Sequence, residues 1–357
     1  MIAHYQKYEL QFKQAAGTSR GVYNTRPVWF LFLNQNNQTG IGECAPLPGL
    51  SQETPEEVET ALKLICQDPK PFLENPELLQ AIPSVRFGLE TALTDLQNGG
   101  RQELFPSAFT KGEAGIPING LIWMGPAEDM RKQIQYKLES GYRCIKLKIG
   151  ALHFEEELEL LHAIRTHYPA SQITLRVDAN GAFKPEEALE KLNRLAALNL
   201  HSIEQPLAAS QWTAMQQLCQ QTPVPIALDE ELIGINTLAD KERLLDTIRP
   251  QYLVLKPSLH GGFSGCSEWI SLANESSIGW WITSYLESNI GLNAIAQWTF
   301  TLQANGHQGL GTGQLFTNNV KSPLEIRGEK LWFNPQQPFD LSPISKQANS
   351  PKNKAEQ

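Results

Sequence analysis

The sequence predicts an α/β protein, a (β/α) barrel behind a smaller α+β unit, and three observations carry the prediction. Five apolar segments, Ile145–Ile149, Leu175–Val177, Ile203, Ile226–Leu228 and Leu253–Leu255, carry or are followed by charged residues just ahead of turn-forming residues. Those terminal charges, Lys148, Asp178, Glu204, Asp229 and Lys256, recur every 25 to 30 residues, the length of one strand, one crossover helix and two short loops. The N-terminal hundred residues lack that period and read as a meander followed by helices.

In chain order, residues from about 5 to 45 alternate as three antiparallel strands, with Val28–Leu33 the most apolar and a hairpin turn at Asn36–Gly40. The stretch from Ala15 to Gly21 reads as a small polar loop carrying one arginine, Arg20, either a plain connection or a mobile lid. Gly42–Ser51 is rigid and turn-rich and reads as a second covering loop. Thr54-Pro55-Glu56-Glu57 starts a helix, and Ser84–Gln97, with Val85, Leu89, Leu93 and Leu96 on one face, is another that Gly99-Gly100 ends. Glycines near 112–115 mark a boundary. The expected divisions are therefore 1–114 for the α+β cap and 115–322 for the barrel. A segment at 323–342, around Leu331-Trp332-Phe333, is expected to return to the cap, and 343–357 reads as a disordered polar tail.

Within the barrel, Ile118–Met124 reads as the first strand, Trp280–Tyr285 as the seventh and Leu310–Gly313 as a short glycine-rich eighth. Residues at the same end of successive parallel strands meet in space, so the five charges converge on one mouth. Asp178, Glu204 and Asp229 then form an oxygen-only set suited to a hard cation such as Mg²⁺, with Mn²⁺ as a substitute. Lys146 and Lys148 are two apart and share a face, which makes Lys148 the candidate base and Lys146 its electrostatic tuner. Lys256 is expected to face Lys148 across the substrate. Asn180, Gln205 and Glu230 stand beside these groups, Glu230 either as a partner for Lys256 or as a solvated loop charge. His260 and His307 read as hydrogen-bonded loop residues.

A net charge of −8 and the absence of a basic run argue against nucleic-acid or anionic-membrane partners, while a cation with a lysine on each side points to a small-molecule carboxylate whose adjacent proton is acidic enough only when the enediolate charge is held. Five scattered cysteines without metal spacing fit free thiols, and no apolar run suggests a signal or membrane span, so the expected location is cytoplasmic.

The order Lys-x-Lys, Asp-x-Asn, Glu-Gln-Pro, Asp-Glu and Lys-Pro on successive strands resembles the enolase superfamily in its muconate-lactonizing subgroup. That resemblance implies an enolase-like (β/α)7β TIM-type barrel with a capping domain, a lysine base and an enediolate stabilised by Mg²⁺. Gly42–Ser51, Ser19-Arg20-Gly21 and Ser284–Leu292 are similar to the o-succinylbenzoate synthases of menaquinone biosynthesis. This implies a lyase that dehydrates 2-succinyl-6-hydroxy-2,4-cyclohexadiene-1-carboxylate, with Lys148 as base and then acid and Lys256 as a fixed cation. It also implies Arg176, Thr283, Ser284, Gly311 and Gly313 as pocket residues, while the single cation of the first loop suggests that Arg20 closes over the succinyl carboxylate. An N-succinylamino acid racemase or dipeptide epimerase would use the same five charges, and a non-catalytic metal-binding barrel is the rival of another class.

Overall fold

The computed structural model describes residues 1–18 and 21–345. Three long strands, β1 (Ile2–Thr18), β2 (Gly21–Gln35) and β3 (Gln38–Cys44), form an antiparallel sheet in sequence order. Asn36 and Asn37 make the two-residue turn between β2 and β3, both with positive φ, 51° and 62°, as the twist of a tight hairpin requires. The expected loop from Ala15 to Gly21 is mostly strand instead, because Ala16 pairs with Tyr23 and Thr18 with Gly21 after an irregularity beyond Gln11. Arg20 lies outside the described residues.

Behind the sheet lie α1 (Pro55–Gln67), α2 (Lys70–Glu74) and α3 (Pro83–Gln97). The Thr54 hydroxyl accepts from Glu57 N, and the Glu57 carboxylate accepts from Thr54 N, so the capping box expected at this start is complete. β3 and α3 approach backbone to backbone. A Cβ on Gly42 would stand 1.9 Å from the Gly88 carbonyl oxygen, and one on Gly40 would stand 2.0 Å from that of Ala92.

The chain then runs β4 (Ile116–Pro117), β5 (Gly120–Ile122), α4 (Ala127–Glu139), β6 (Cys144–Lys148), α5 (Phe154–His167), β7 (Thr174–Asp178) and α6 (Pro185–Ala196). It continues with β8 (Ser202–Glu204), α7 (Trp212–Gln221), β9 (Ile226–Leu228), α8 (Leu238–Ile248), β10 (Tyr252–Leu255), α9 (Gly262–Glu275), β11 (Gly279–Ile282) and α10 (Asn289–Thr301). β5 to β11 form one parallel sheet in sequence order. One face of the sheet is apolar and packs with the helices, with Ile145, Leu147, Leu175, Val177, Ile203, Ile226, Leu228, Leu253 and Leu255 all buried, while the alternate positions Lys146, Lys148, Arg176, Asp178 and Glu204 share the inner face.

The eighth strand is two residues long, and it lies before the expected Leu310–Gly313. Gln308 bridges to Ile118 and Gly309 to Thr283, with Asn119 N donating to Gln308 O at 3.0 Å and Gly309 N to Ile282 O at 2.8 Å. The Gln308 side chain also accepts from Ile282 N. These bridges join the two edges of the sheet, so the barrel closes at one level only.

β12 (Leu324–Arg327) and β13 (Lys330–Phe333) form a hairpin, but β13 pairs with β4 and not with the cap sheet. The return to the cap is made earlier, where Lys13 N donates to Leu315 O and Thr317 N to Gln11 O. It is made again in α11 (Ser342–Ser345), whose Ile344 is buried with Leu10, Val28 and Phe30. The expected tail therefore begins later than 343, and residues 346–357 lie outside the described ones. All five cysteines are free, and no described helix is long and apolar enough to cross a membrane.

Two cap carboxylates reach into the barrel. Glu90 of α3 accepts from Phe263 N at 2.6 Å and from the Ser264 hydroxyl, at the start of α9. Glu43 of β3 accepts from Ser288 N at 2.8 Å, the Ser288 hydroxyl at 2.5 Å and Gly291 N at 2.8 Å, at the start of α10. Both satisfy N–H groups that a helix start leaves without partners, and both place negative charge where the helix dipole favours it.

The glycine contact between β3 and α3 gives a test. Gly42→Ala is expected to cost about 3 kcal/mol or more, because backbone atoms on both sides would have to move. Urea unfolding followed by circular dichroism measures it, and a midpoint matching the parent protein would show that the two elements can separate freely.

Candidate active site

Strand register sets the site. Lys148 stands opposite Asp178, and Asp178 opposite Glu204, at the C-terminal ends of β6, β7 and β8. Asp229 and Lys256 each follow the last residue of β9 and β10. All five line one cavity of about 550 Å³, with Lys146, Asn180 and Glu230, and with Leu47 and Leu50 from the cap. The five charges expected at one mouth therefore do share one cavity.

Their pairing differs from the expected one. Lys146 is paired with carboxylates; its Nζ donates to both Glu204 oxygens at 2.6 Å and stands 3.1 Å from Asp178 Oδ2. Burial acts against this ammonium, yet Asp178, Glu204 and Asp229 outweigh it and hold the group protonated above its usual range. Lys148 Nζ donates to Asn180 Oδ1 at 2.8 Å, and Asp178 Oδ2 is 3.5 Å away. Lys256 Nζ lies 2.6 Å from both oxygens of Asp229, with the hydrogen bond to Oδ2 and only a charge contact to Oδ1. Burial acts against the Asp178 charge, but Lys146 and Lys148 overcome it and keep the carboxyl well below its usual range.

Asn180 joins two of these groups, because its Nδ2 donates to Glu230 Oε1 at 3.0 Å while its carbonyl serves Lys148. Glu230 thus accepts from Asn180, and Lys256 and Lys148 both act on its charge. Burial, then Asp229 and Asp178, push the Glu230 carboxyl up to about 7. Gln205 is a clamp on the backbone and not a wall of the cavity. Its Oε1 accepts from Asp229 N at 3.1 Å and Glu231 N at 3.2 Å, and its Nε2 donates to Leu207 O and Glu231 Oε2. It fixes the backbone that presents Asp229.

The pocket residues divide. Thr283, Ser284 and Gly311 line the cavity. Arg176 does not: it lies one layer deeper, its guanidinium 4.1 Å from the Trp281 ring centroid and donating to His307 O. Two residues along a strand separate it from Asp178, so it shares that face but sits below the mouth. Gly313 turns the other way, toward Asn289 and Leu292. His260 is a buried acceptor for Lys256 N, and burial, with Lys256 beside it, lowers it to about 3 and keeps it neutral. His307 pairs with Glu329 outside the cavity wall.

Sequence reasoning missed the apolar and aromatic wall, made by Leu47, Leu121, Trp123, Trp281 and Tyr285. Tyr285 follows Thr283 by two residues at the end of the seventh barrel strand, and that spacing on one face was the available signal.

Four carboxylates here meet three ammonium groups, and Asp178, Glu204 and Asp229 are each about 2% exposed or less. An oxygen-only set of this kind fits a hard divalent cation by its chemistry. The lysines take the carboxylate oxygens in this arrangement, and among the described residues no group of three or more His, Cys, Asp or Glu is spaced to hold an ion by itself.

Comparison with known proteins agrees with the motif order. A family model described as enolase C-terminal domain-like matches residues 129–337, and one described as MenC, N-terminal domain, matches residues 2–96. An o-succinylbenzoate synthase of Desulfotalea psychrophila is 47% identical over 93% of this chain and 98% of its own. The crystal structure of MenC from that organism gives a TM-score of 0.84 at 44% identity, covering 93% of this chain and 99% of that one. An o-succinylbenzoate synthase of Thermosynechococcus elongatus, solved with Mg in the active site, gives 0.71 at 27% identity, covering 87% and 92%.

The clamp at Gln205 is testable. Gln205→Leu strands the N–H groups of Asp229 and Glu231, which should lower stability by roughly 2–4 kcal/mol and reduce turnover with it. A thermal melt and an activity assay on the same preparation measure both, and a variant unchanged in both would remove the clamp role.

Proposed function

The chain belongs to the enolase superfamily and, within it, to the o-succinylbenzoate synthases, and from that premise and the site geometry we propose how its residues carry the reaction. The protein is a Mg²⁺-dependent lyase that removes water from 2-succinyl-6-hydroxy-2,4-cyclohexadiene-1-carboxylate to give o-succinylbenzoate, a step of menaquinone biosynthesis. The observation that carries the residue assignment is that one cavity holds Lys148, Lys256 and three strand-end carboxylates.

Asp178, Glu204 and Asp229 are the residues that would hold the cation. When bound there, Mg²⁺ supplies Lewis-acid compensation for the charge that develops on the substrate's ring carboxylate. Lys148 takes the proton from the carbon next to that carboxylate, held in position by Asn180. The same ammonium then gives the proton to the departing hydroxyl, so that a C–H and a C–O bond break, water leaves and the ring becomes aromatic. Lys256, fixed by Asp229, stays a cation beside the ring and favours the anionic intermediate and the aromatic product. Lys146 neutralises Glu204 and Asp178 from below and keeps their oxygens at the mouth. Leu47 and Leu50 from the cap shield the cavity from water, which strengthens each of these charge interactions.

Racemisation of N-succinylamino acids would need the same cavity but would ask Lys256 to exchange a proton itself. The purified chain, assayed on the cyclohexadiene carboxylate beside a panel of N-succinylamino acids, is expected to form o-succinylbenzoate. Activity should vanish on chelation and return with Mg²⁺ or Mn²⁺. Lys148→Ala should lower kcat by about a hundredfold or more. Lys256→Arg, which keeps the charge but cannot act as a base, should leave a measurable remnant. Solvent exchange of the substrate's α-deuterium in Lys148→Ala would instead establish Lys256 as a base, and turnover surviving chelation would end the metal assignment.

A further inference from the structure

Tyr285 stands between two cations that come from different domains. The Lys256 ammonium lies 5.6 Å from its ring centroid, and the Arg26 guanidinium of β2 lies 5.0 Å from it. Arg26 is wholly buried and donates to the carbonyl oxygens of Tyr285 and Ala45, so one cap side chain ties the strand-end loop of the barrel to the covering loop of the cap. Glu287, also wholly buried, accepts from Tyr285 N at 2.8 Å and from the Ser258 hydroxyl, two residues after Lys256. The Tyr285 hydroxyl is 3.4 Å from Ser51 Oγ, and its ring packs in a small apolar cluster with Leu47 and Leu259. Every one of these partners belongs to the cap or to the loops that follow the sixth and seventh barrel strands.

A lysine side chain has four rotatable carbon bonds, and the Asp229 carboxylate holds the Lys256 ammonium only at its tip. An aromatic ring 5.6 Å away further limits where that tip can swing, and cation–π attraction grows where water is excluded. We propose that Tyr285 is a positioning residue that aims the Lys256 ammonium at the reacting ring, and that Arg26 holds Tyr285 in place, so that docking of the cap is a condition of turnover. This rests on the assignment of Lys256 as the fixed cation of the dehydration.

The test compares kcat and KM of the full chain and four variants on the cyclohexadiene carboxylate, with circular dichroism and a melt on each. Tyr285→Leu, which removes the ring, is expected to lower kcat by about tenfold while KM moves by less than about threefold. Tyr285→Phe, which keeps the ring, should recover most of that loss, a result that a role through the hydroxyl would not give. Arg26→Met should lower kcat in the same way, and adding Tyr285→Leu to it should cost much less than the product of the two single effects, because both act through one contact. If Arg26→Met does not fold, the Leu and Phe variants decide. A Tyr285→Leu protein with kcat within about twofold of the parent, or a Phe variant as slow as the Leu variant, overturns the inference while the parent's activity leaves the functional reading intact. A parent chain without dehydratase activity overturns both.

Discussion

Seven ionisable side chains held out of water at one end of a barrel are the constraint on which the rest of this structure depends. Asp178, Glu204, Asp229 and Glu230 face Lys146, Lys148 and Lys256, and none is more than slightly exposed. Removing one partner from such a set leaves a buried charge uncompensated, which costs several kcal/mol. The surroundings are accordingly rigid. Register aligns Lys148, Asp178 and Glu204, Gln205 pins the backbone of Asp229, and Glu157 accepts from Gly150, Ala151 and Leu152 N to hold the loop beyond Lys148. Below them Trp281 and Arg176 stack to fill the barrel, so the charged layer rests on a packed one.

That distribution explains which parts were legible in the sequence. A charge at the end of an apolar strand is costly and therefore conspicuous, so Lys148, Asp178, Glu204, Asp229 and Lys256 could be read from spacing alone, and the family followed from their order. The same argument gave no depth. Arg176 lies on the correct face but beneath the mouth, and sequence position along a family motif does not report that difference. The eighth strand was misplaced because Gly309, Gly311 and Gly313 offer no alternation to read, and its pairing is supplied by the backbone of Gln308 and Gly309. Pairings within the charge set were equally hidden. Lys146 was expected to act on Lys148, but which ammonium meets which carboxylate depends on side-chain reach across three strands.

The errors at the two ends of the chain have one cause. Polar composition between Ala15 and Gly21 suggested a loop, but strand pairing needs only backbone groups, and Ala16 to Thr18 find theirs on β2. Polar residues after Ser342 suggested a free tail, but one apolar residue, Ile344, suffices to fix that short helix against the cap sheet. Local composition is a weak guide wherever a long-range partner exists.

Glu43 and Glu90 belong to the cap by sequence, yet each completes the first turn of a barrel helix, α10 and α9. Neither domain therefore has a self-sufficient surface along their boundary. A barrel cut from this chain would strip the start of α9 of Glu90 and leave α10 with Ser288 as its side-chain cap, just beyond the strand ends that carry Lys256 and Thr283, and a cap alone would lose the barrel partners of both acids. Recombination between relatives at this junction would then succeed only where the incoming cap brings carboxylates at both positions, which makes the two halves heritable as a pair and not as interchangeable modules.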